Sequence, residues 1–201
     1  MKKLITIIFA GLLTLNLSAQ QFGVKAGLDL TNLNLSSTDT SVTFDMGTGY
    51  SAGAFAILEL SDVLQLKPEL LYSHRTSSSS SNIFGIPFVV TMNYDYIEVP
   101  INLGYMVSDR MTINAGPYLG LLLSANGVTE VLGQTEEIDM KEDSNSMDYG
   151  MNIGVSYNIN ESMIINAGYT LGLSNILDDS DSGDSLKWSA IKISFGYIFG
   201  N

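Results

Sequence analysis

Apolar residues alternate with small or polar ones in one segment after another, the period of two that extended strands impose. Eight such segments stand out, at about 21–33, 49–60, 64–75, 92–107, 111–124, 147–159, 163–176 and 187–199. In the first, Phe22, Val24, Ala26, Leu28 and Leu30 share one face, with Gly23, Lys25, Gly27, Asp29 and Thr31 on the other. In the last, Ile191, Ile193, Phe195, Tyr197 and Phe199 alternate with Lys192, Ser194 and Gly196. The connections alternate too. Tight turns at 61–63, 108–110 and 160–162 are interleaved with long polar stretches at about 34–48, 76–91, 125–146 and 177–186. A hairpin unit recurs at constant spacing: Tyr105, Met111, Ile113, Asn114, Ala115 and Gly116 reappear as Tyr157, Met163, Ile165, Asn166, Ala167 and Gly168. This pattern predicts an all-β, eight-stranded, antiparallel up-and-down barrel.

Periodicity alone does not say which face points inward. The polar face is rich in Gly, Ser, Asn and Thr, and it carries charges of both signs. Such residues suit a lumen where opposite charges pair, whereas Lys or Arg facing lipid at the bilayer midplane costs roughly 2–4 kcal/mol. The apolar face is therefore expected to meet lipid, making this a transmembrane barrel. Eight strands leave an interior just wide enough for side chains to fill it, so a plugged lumen is expected. Tyr105, Tyr157, Tyr197 and Phe199 fall near the short turns, and Tyr50, Tyr72 and Tyr149 nearer the long loops, as interfacial aromatic girdles should. Pro68, Pro100 and Pro117 each remove a ladder donor and are expected at bulges or strand ends.

Composition agrees with a membrane barrel. The chain is 45% hydrophobic and 15% charged, with positive mean hydropathy, yet has no later run long enough for a membrane helix. Residues 1–19 read as a secretory signal peptide, with Lys2 and Lys3 before an apolar run and small residues near Ala19, leaving 20–201 as the barrel domain. The net charge of −12 excludes nucleic acid as a natural partner. The absence of cysteine excludes disulfides, thiolate metal sites and a cysteine nucleophile.

Candidate chemistry is sparse. Lys25, Glu59, Lys67, Glu69, Glu98 and Lys192 are expected to form a lumen charge network that neutralises itself. Asp179, Asp181 and Asp184 lie in an acidic loop that partly matches a calcium loop but lacks the distal glutamate. His74, the one histidine, lies beside Ser73 and the serines at 77–81, which raises a lipid hydrolase as one alternative. Neighbouring strand residues point to opposite faces, however, and no triad is evident. No catalytic or cofactor-binding residue is expected.

Four segments carry a family resemblance: Phe22-Gly23-Val24-Lys25-Ala26-Gly27-Leu28, Leu66-Lys67-Pro68-Glu69-Leu70-Leu71-Tyr72-Ser73, Tyr96-Ile97-Glu98-Val99-Pro100 and Ala115-Gly116-Pro117-Tyr118-Leu119-Gly120. In this order they resemble the PorT-like outer-membrane β-barrel family. The resemblance implies the fold and an outer-membrane location, and it brings no catalytic residues. The terminal aromatics Tyr197 and Phe199 also resemble the signal that outer-membrane insertion machinery reads. The expected function is that of a small non-enzymatic barrel with a structural, surface-adhesive or envelope-assembly accessory role. Its expected partners are outer-membrane lipid, the insertion machinery and an envelope protein. A narrow channel or transporter is the main alternative.

Overall fold

The computed structural model describes residues 20–36, 45–83, 86–131, 133–177 and 185–199. The proposed calcium loop at Asp179, Asp181 and Asp184, and the leader at 1–19, lie outside the described residues. The strands are β1 (Gln20–Ser36), β2 (Asp45–Glu59), β3 (Leu64–Ile83), β4 (Ile86–Ser108), β5 (Met111–Val131), β6 (Gln134–Asp139), β7 (Met147–Asn158), β8 (Met163–Gly172) and β9 (Ser185–Phe199). Eight of them close a ring in the order β1, β2, β3, β4, β5, β7, β8, β9 and back to β1, every pair antiparallel. Among the described residues the short β6 pairs only with the far end of β5, from Asn126↔Asp139 to Val131↔Gln134.

Alternation sets the two surfaces. Leu28, Ile153, Ile193 and Phe199 are more than half exposed on the outer wall, where a membrane provides their solvent. Residues one position away face the lumen, among them Asp29, Lys67, Ser156 and Ser194, all buried. Tyr105 and Ile97 stand eight residues apart on β4, about 26 Å of strand, which a tilt of about 40° reduces to about 20 Å, most of the roughly 25 Å apolar band of such barrels. At one end, called the inner end because short turns of such barrels face the periplasm, tight turns join the strands. Leu60 N and Ser61 N donate to Leu64 O, and Ser162 N donates to the Asn160 side chain at 2.9 Å.

Three expectations about strand limits need correction. The stretch at 76–91 is not a loop: β3 and β4 continue through it as a long hairpin, from Thr76↔Asn93 to Ile83↔Ile86. Beyond the bilayer neither face of a hairpin must be apolar, so Ser77–Ser81 shows no hydrophobic alternation although it pairs as strand. The region 125–146 likewise contains the end of β5 and all of β6. In the other direction, the segment expected to run to 176 leaves the sheet after Gly172. Its continuation folds over the outer mouth, where Asn145 N donates to Ile176 O at 2.8 Å and Ile176 N to Leu186 O at 2.9 Å.

Pro68, Pro100 and Pro117 mark neither bulges nor strand ends. Pro68 pairs with Ile101, Pro100 with Tyr118 and Pro117 with Met151, and the register is the same on both sides of each. The register shifts fall elsewhere, between Met46 and Tyr50, Asp95 and Tyr96, and Met106 and Ser108. Each proline removes one donor from a ladder that its neighbours keep in step.

Candidate functional site

The lumen is filled in layers. At its centre stands Arg75 of β3, 1% exposed. Its Nε and Nη2 donate to Glu98 Oε1 at 3.2 and 2.6 Å, and its Nη1 donates to Asp148 Oδ2 at 2.6 Å. Asp148 also accepts from Tyr118 at 2.9 Å and from the Ser174 hydroxyl. Glu98 is shared with Lys192, whose Nζ lies 2.9 Å from Oε2 and 3.9 Å from Asp29 Oδ2. The guanidinium lies 4.6 Å from the Tyr96 ring centroid and 5.6 Å from that of Tyr118. The network thus ties β1, β3, β4, β5, β7 and β9 together. Arg75, Glu98 and Asp148 each make several hydrogen bonds, which is what makes their burial tolerable.

Nearer the inner end, Lys25 pairs with Glu69. Lys67 Nζ donates to Asn166 Oδ1 at 2.8 Å and to Ser156 at 3.4 Å, and it lies 5.1 Å from the Phe55 ring centroid. A cavity of about 80 Å³ adjoins these groups. Across both layers Lys25, Lys67, Arg75 and Lys192 face Asp29, Glu69, Glu98 and Asp148, four cations against four carboxylates. Each end of the stack is apolar. Phe55, Ile57, Ile164 and Ile198 form one cluster. Ile57 and Ile198 line a vestibule of about 490 Å³ that opens at the inner end. Leu33, Tyr94, Tyr96, Leu122, Ala125, Ile176, Leu186 and Trp188 form the outer cap.

Of the six residues expected in the lumen network, the structure brings Glu98 and Lys192 together, and Lys25 and Glu69 together. Among the described residues, Lys67 has neutral hydrogen-bond partners and no carboxylate within 4.0 Å. Glu59 stands apart: it pairs in register with Gln65 and is exposed on the rim of the vestibule. Alternation gave it the right face, but it lies too near the strand end to be enclosed. Arg75 and Asp148 were not singled out from the sequence. Both follow from extending the same alternation, Arg75 two positions beyond Ser73 and Asp148 two before Gly150. Tyr197 and Phe199 lie on the outer wall with their rings 5.6 Å apart.

A second polar group lies on the outer wall. Asp95 Oδ1 accepts from Tyr72 at 2.7 Å and lies 2.7 Å from His74 Nδ1, while Oδ2 accepts from Ser124 at 3.2 Å. The His74 ring stacks on Tyr50 at 5.1 Å. Histidine, carboxylate and hydroxyl do meet here, but the carboxylate sits in the middle. A hydrolytic triad needs the hydroxyl on the imidazole, so that the base can take its proton. Ser124 donates to Asp95 instead, and this geometry does not activate it.

The sequence profile of the outer membrane protein beta-barrel domain matches residues 17–178. Among curated proteins none matches the sequence. Solved structures share the fold at low identity. Ail, the attachment invasion locus protein of Yersinia pestis, is 12% identical with a TM-score of 0.50, over 89% of this chain and 98% of that one. Neisserial surface protein A is 14% identical with a TM-score of 0.51, over 89% and 98%. The ring closure, the apolar outer wall and this match agree: the chain is a barrel of the outer membrane and belongs to the outer membrane protein beta-barrel domain family.

Proposed function

We propose that this protein is a closed, non-enzymatic barrel that works through its outer surface rather than through its lumen. Its role is that of a structural element, a surface-interaction protein or an accessory to an envelope assembly. The observation that carries the reading is Arg75, held across the lumen between Glu98 and Asp148. An ion crossing the barrel would have to displace a guanidinium with two carboxylate partners and then pass the apolar cap around Trp188. Outer-membrane lipid surrounds the belt, and the insertion machinery would read Tyr197 and Phe199 during assembly.

The long hairpins β3–β4 and β5–β6 supply the surface for a partner. Ail has been solved with the heparin analogue sucrose octasulfate. A polysulfate suits this chain poorly, because its outer hairpin carries Glu130, Glu136, Glu137, Asp139, Glu142 and Asp143 against Lys141. A cationic or neutral partner fits that charge.

The test is single-channel recording of the full chain in a planar bilayer. No conductance steps are expected for the native protein. Regular steps would overturn the closed reading and favour the narrow channel.

A further inference from the structure

The polar group on the outer wall has no part in closing the lumen, and its position calls for its own explanation. Outward-facing positions on β3 read Leu66, Pro68 and Leu70, then Tyr72, His74, Thr76 and Ser78. On β4 they read Leu103, Ile101, Val99 and Ile97, then Asp95, Asn93 and Thr91. The change from apolar to polar occurs at the same level on both strands. Above it the cross-strand pairs are His74↔Asp95, Thr76↔Asn93 and Ser78↔Thr91. They make a hydroxyl and amide ladder just outside the apolar belt, with Tyr50, 48% exposed, beside it.

The backbone is bent to complete this group. Along β5, Ile113, Leu119 and Leu121 face outward, so strict alternation would turn Ser124 into the lumen. The register slips by one between Asp95 and Tyr96, and Ser124 comes opposite Asp95 while Ala125 takes the buried position. Bulges are a usual means of re-aiming a side chain. With Nδ1 on Asp95, the outer ring nitrogen of His74 is the one left to an external group.

We infer that this face binds the neutral sugars of a glycan, presented at the outer surface of the membrane. An aromatic ring for the apolar face of a sugar, an imidazole held by a carboxylate, and rows of hydroxyls and amides are complementary to a polyol. The ladder holds no unpaired cation to attract a phosphate or sulfate, and the acidic outer hairpin opposes polyanions. The inference concerns the outer wall and stands whether or not the lumen conducts.

His74 is the only histidine, so its imidazole gives a single set of NMR signals. The full chain would be placed in nanodiscs of phosphatidylethanolamine and phosphatidylglycerol. Three probes are added separately: lipopolysaccharide bearing its core sugars, sugar-free lipid A, and soluble core oligosaccharide. Lipopolysaccharide is expected to move the His74 resonances and lipid A to leave them in place. Tyr50→Leu and Asp95→Asn should each weaken the response roughly tenfold, about the loss of one good polar or stacking contact. Heat-modified gel mobility confirms that each variant is folded. A response to soluble oligosaccharide would assign the site to glycans from any source, and a response to lipopolysaccharide alone would assign it to a membrane glycolipid. Equal movement with lipid A, or none with any sugar, overturns the inference.

Discussion

Arg75 and Asp148 are joined at 2.6 Å across the lumen although 73 positions separate them in sequence. Three steps around the ring lie between their strands, β3 and β7, so the pair spans the interior rather than a single hairpin. Removing the arginine leaves Asp148 with hydroxyl donors alone and Glu98 with Lys192 alone. Arg75→Met is expected to lower stability by about 3–5 kcal/mol, the cost of breaking one partner of a buried pair. In urea titrations, a double-mutant cycle with Asp148→Asn should show coupling. Strictly additive losses would mean that the two do not act together.

Glu59 and Glu98 offer a contrast between two glutamates on the same face. Glu98 is 1% exposed and bonded to Arg75 and Lys192, whereas Glu59 stands at the open rim. Glu98→Gln should destabilise the folded barrel by more than 1 kcal/mol, while Glu59→Gln should stay within about 0.5 kcal/mol of the native protein. The same unfolding assay reads both, and equal losses would contradict the placement of Glu59.

The lipid-facing wall predicts a penalty for charge. Ile193 is 59% exposed and pairs with Leu28 and Ala167; Leu121 pairs with Ile97 and Met147. Ile193→Lys and Leu121→Arg should each cost roughly 2–4 kcal/mol of folding into a bilayer. The folded fraction in vesicles measures this, and normal insertion of both variants would reverse the assignment of faces.

Trp188 is the only tryptophan and is 1% exposed in the outer cap, 5.5 Å from the Tyr94 ring in an edge-on contact. Its fluorescence should resist both aqueous iodide and lipids with brominated chains, because it faces neither water nor membrane. Quenching by iodide would mean an open cap, and quenching by brominated lipid would put the ring on the outer wall.

Gly116 tests the closeness of the backbones. A Cβ at this position would collide with the Ile101 carbonyl oxygen on the neighbouring strand. Gly116→Ala should therefore lower the yield of folded barrel in vesicles, because that oxygen belongs to main chain and cannot swing aside. Unchanged yield would show that β4 and β5 can separate locally.

The alternation of Phe22 to Thr31 and of Ile191 to Phe199 made the ring and its faces legible in the sequence, because one-sided burial in lipid writes a period of two into each strand. The same signal fails where its physical cause ends. Outside the bilayer, Ser77 to Ser81 pairs as strand with no apolar contrast to reveal it. Phe55 and Ile57 point inward against the rule that the lumen is polar, since closing an end calls for apolar side chains. Lys25 and Glu69 could be expected to neutralise each other, but nothing local linked Arg75 to Asp148, whose meeting depends on how the ring is staggered. The His74 and Asp95 pair needed the register of β3 with β4, and Ser124 needed a slip in register that no residue type announces.

The seam between β1 and β9 runs from Phe22↔Phe199 to Ser36↔Ser185, and Asp29 meets Lys192 across it. The two strands that seal the wall are therefore the first and last of the barrel to be made. Without β9, β1 and β8 would each present a bare edge to the bilayer, where unpaired backbone groups are costly. Half of this protein is thus not a smaller version of the whole. Closure of the ring is a contact that no partial set of strands can make, and Asp29 and Lys192 meet at that seam.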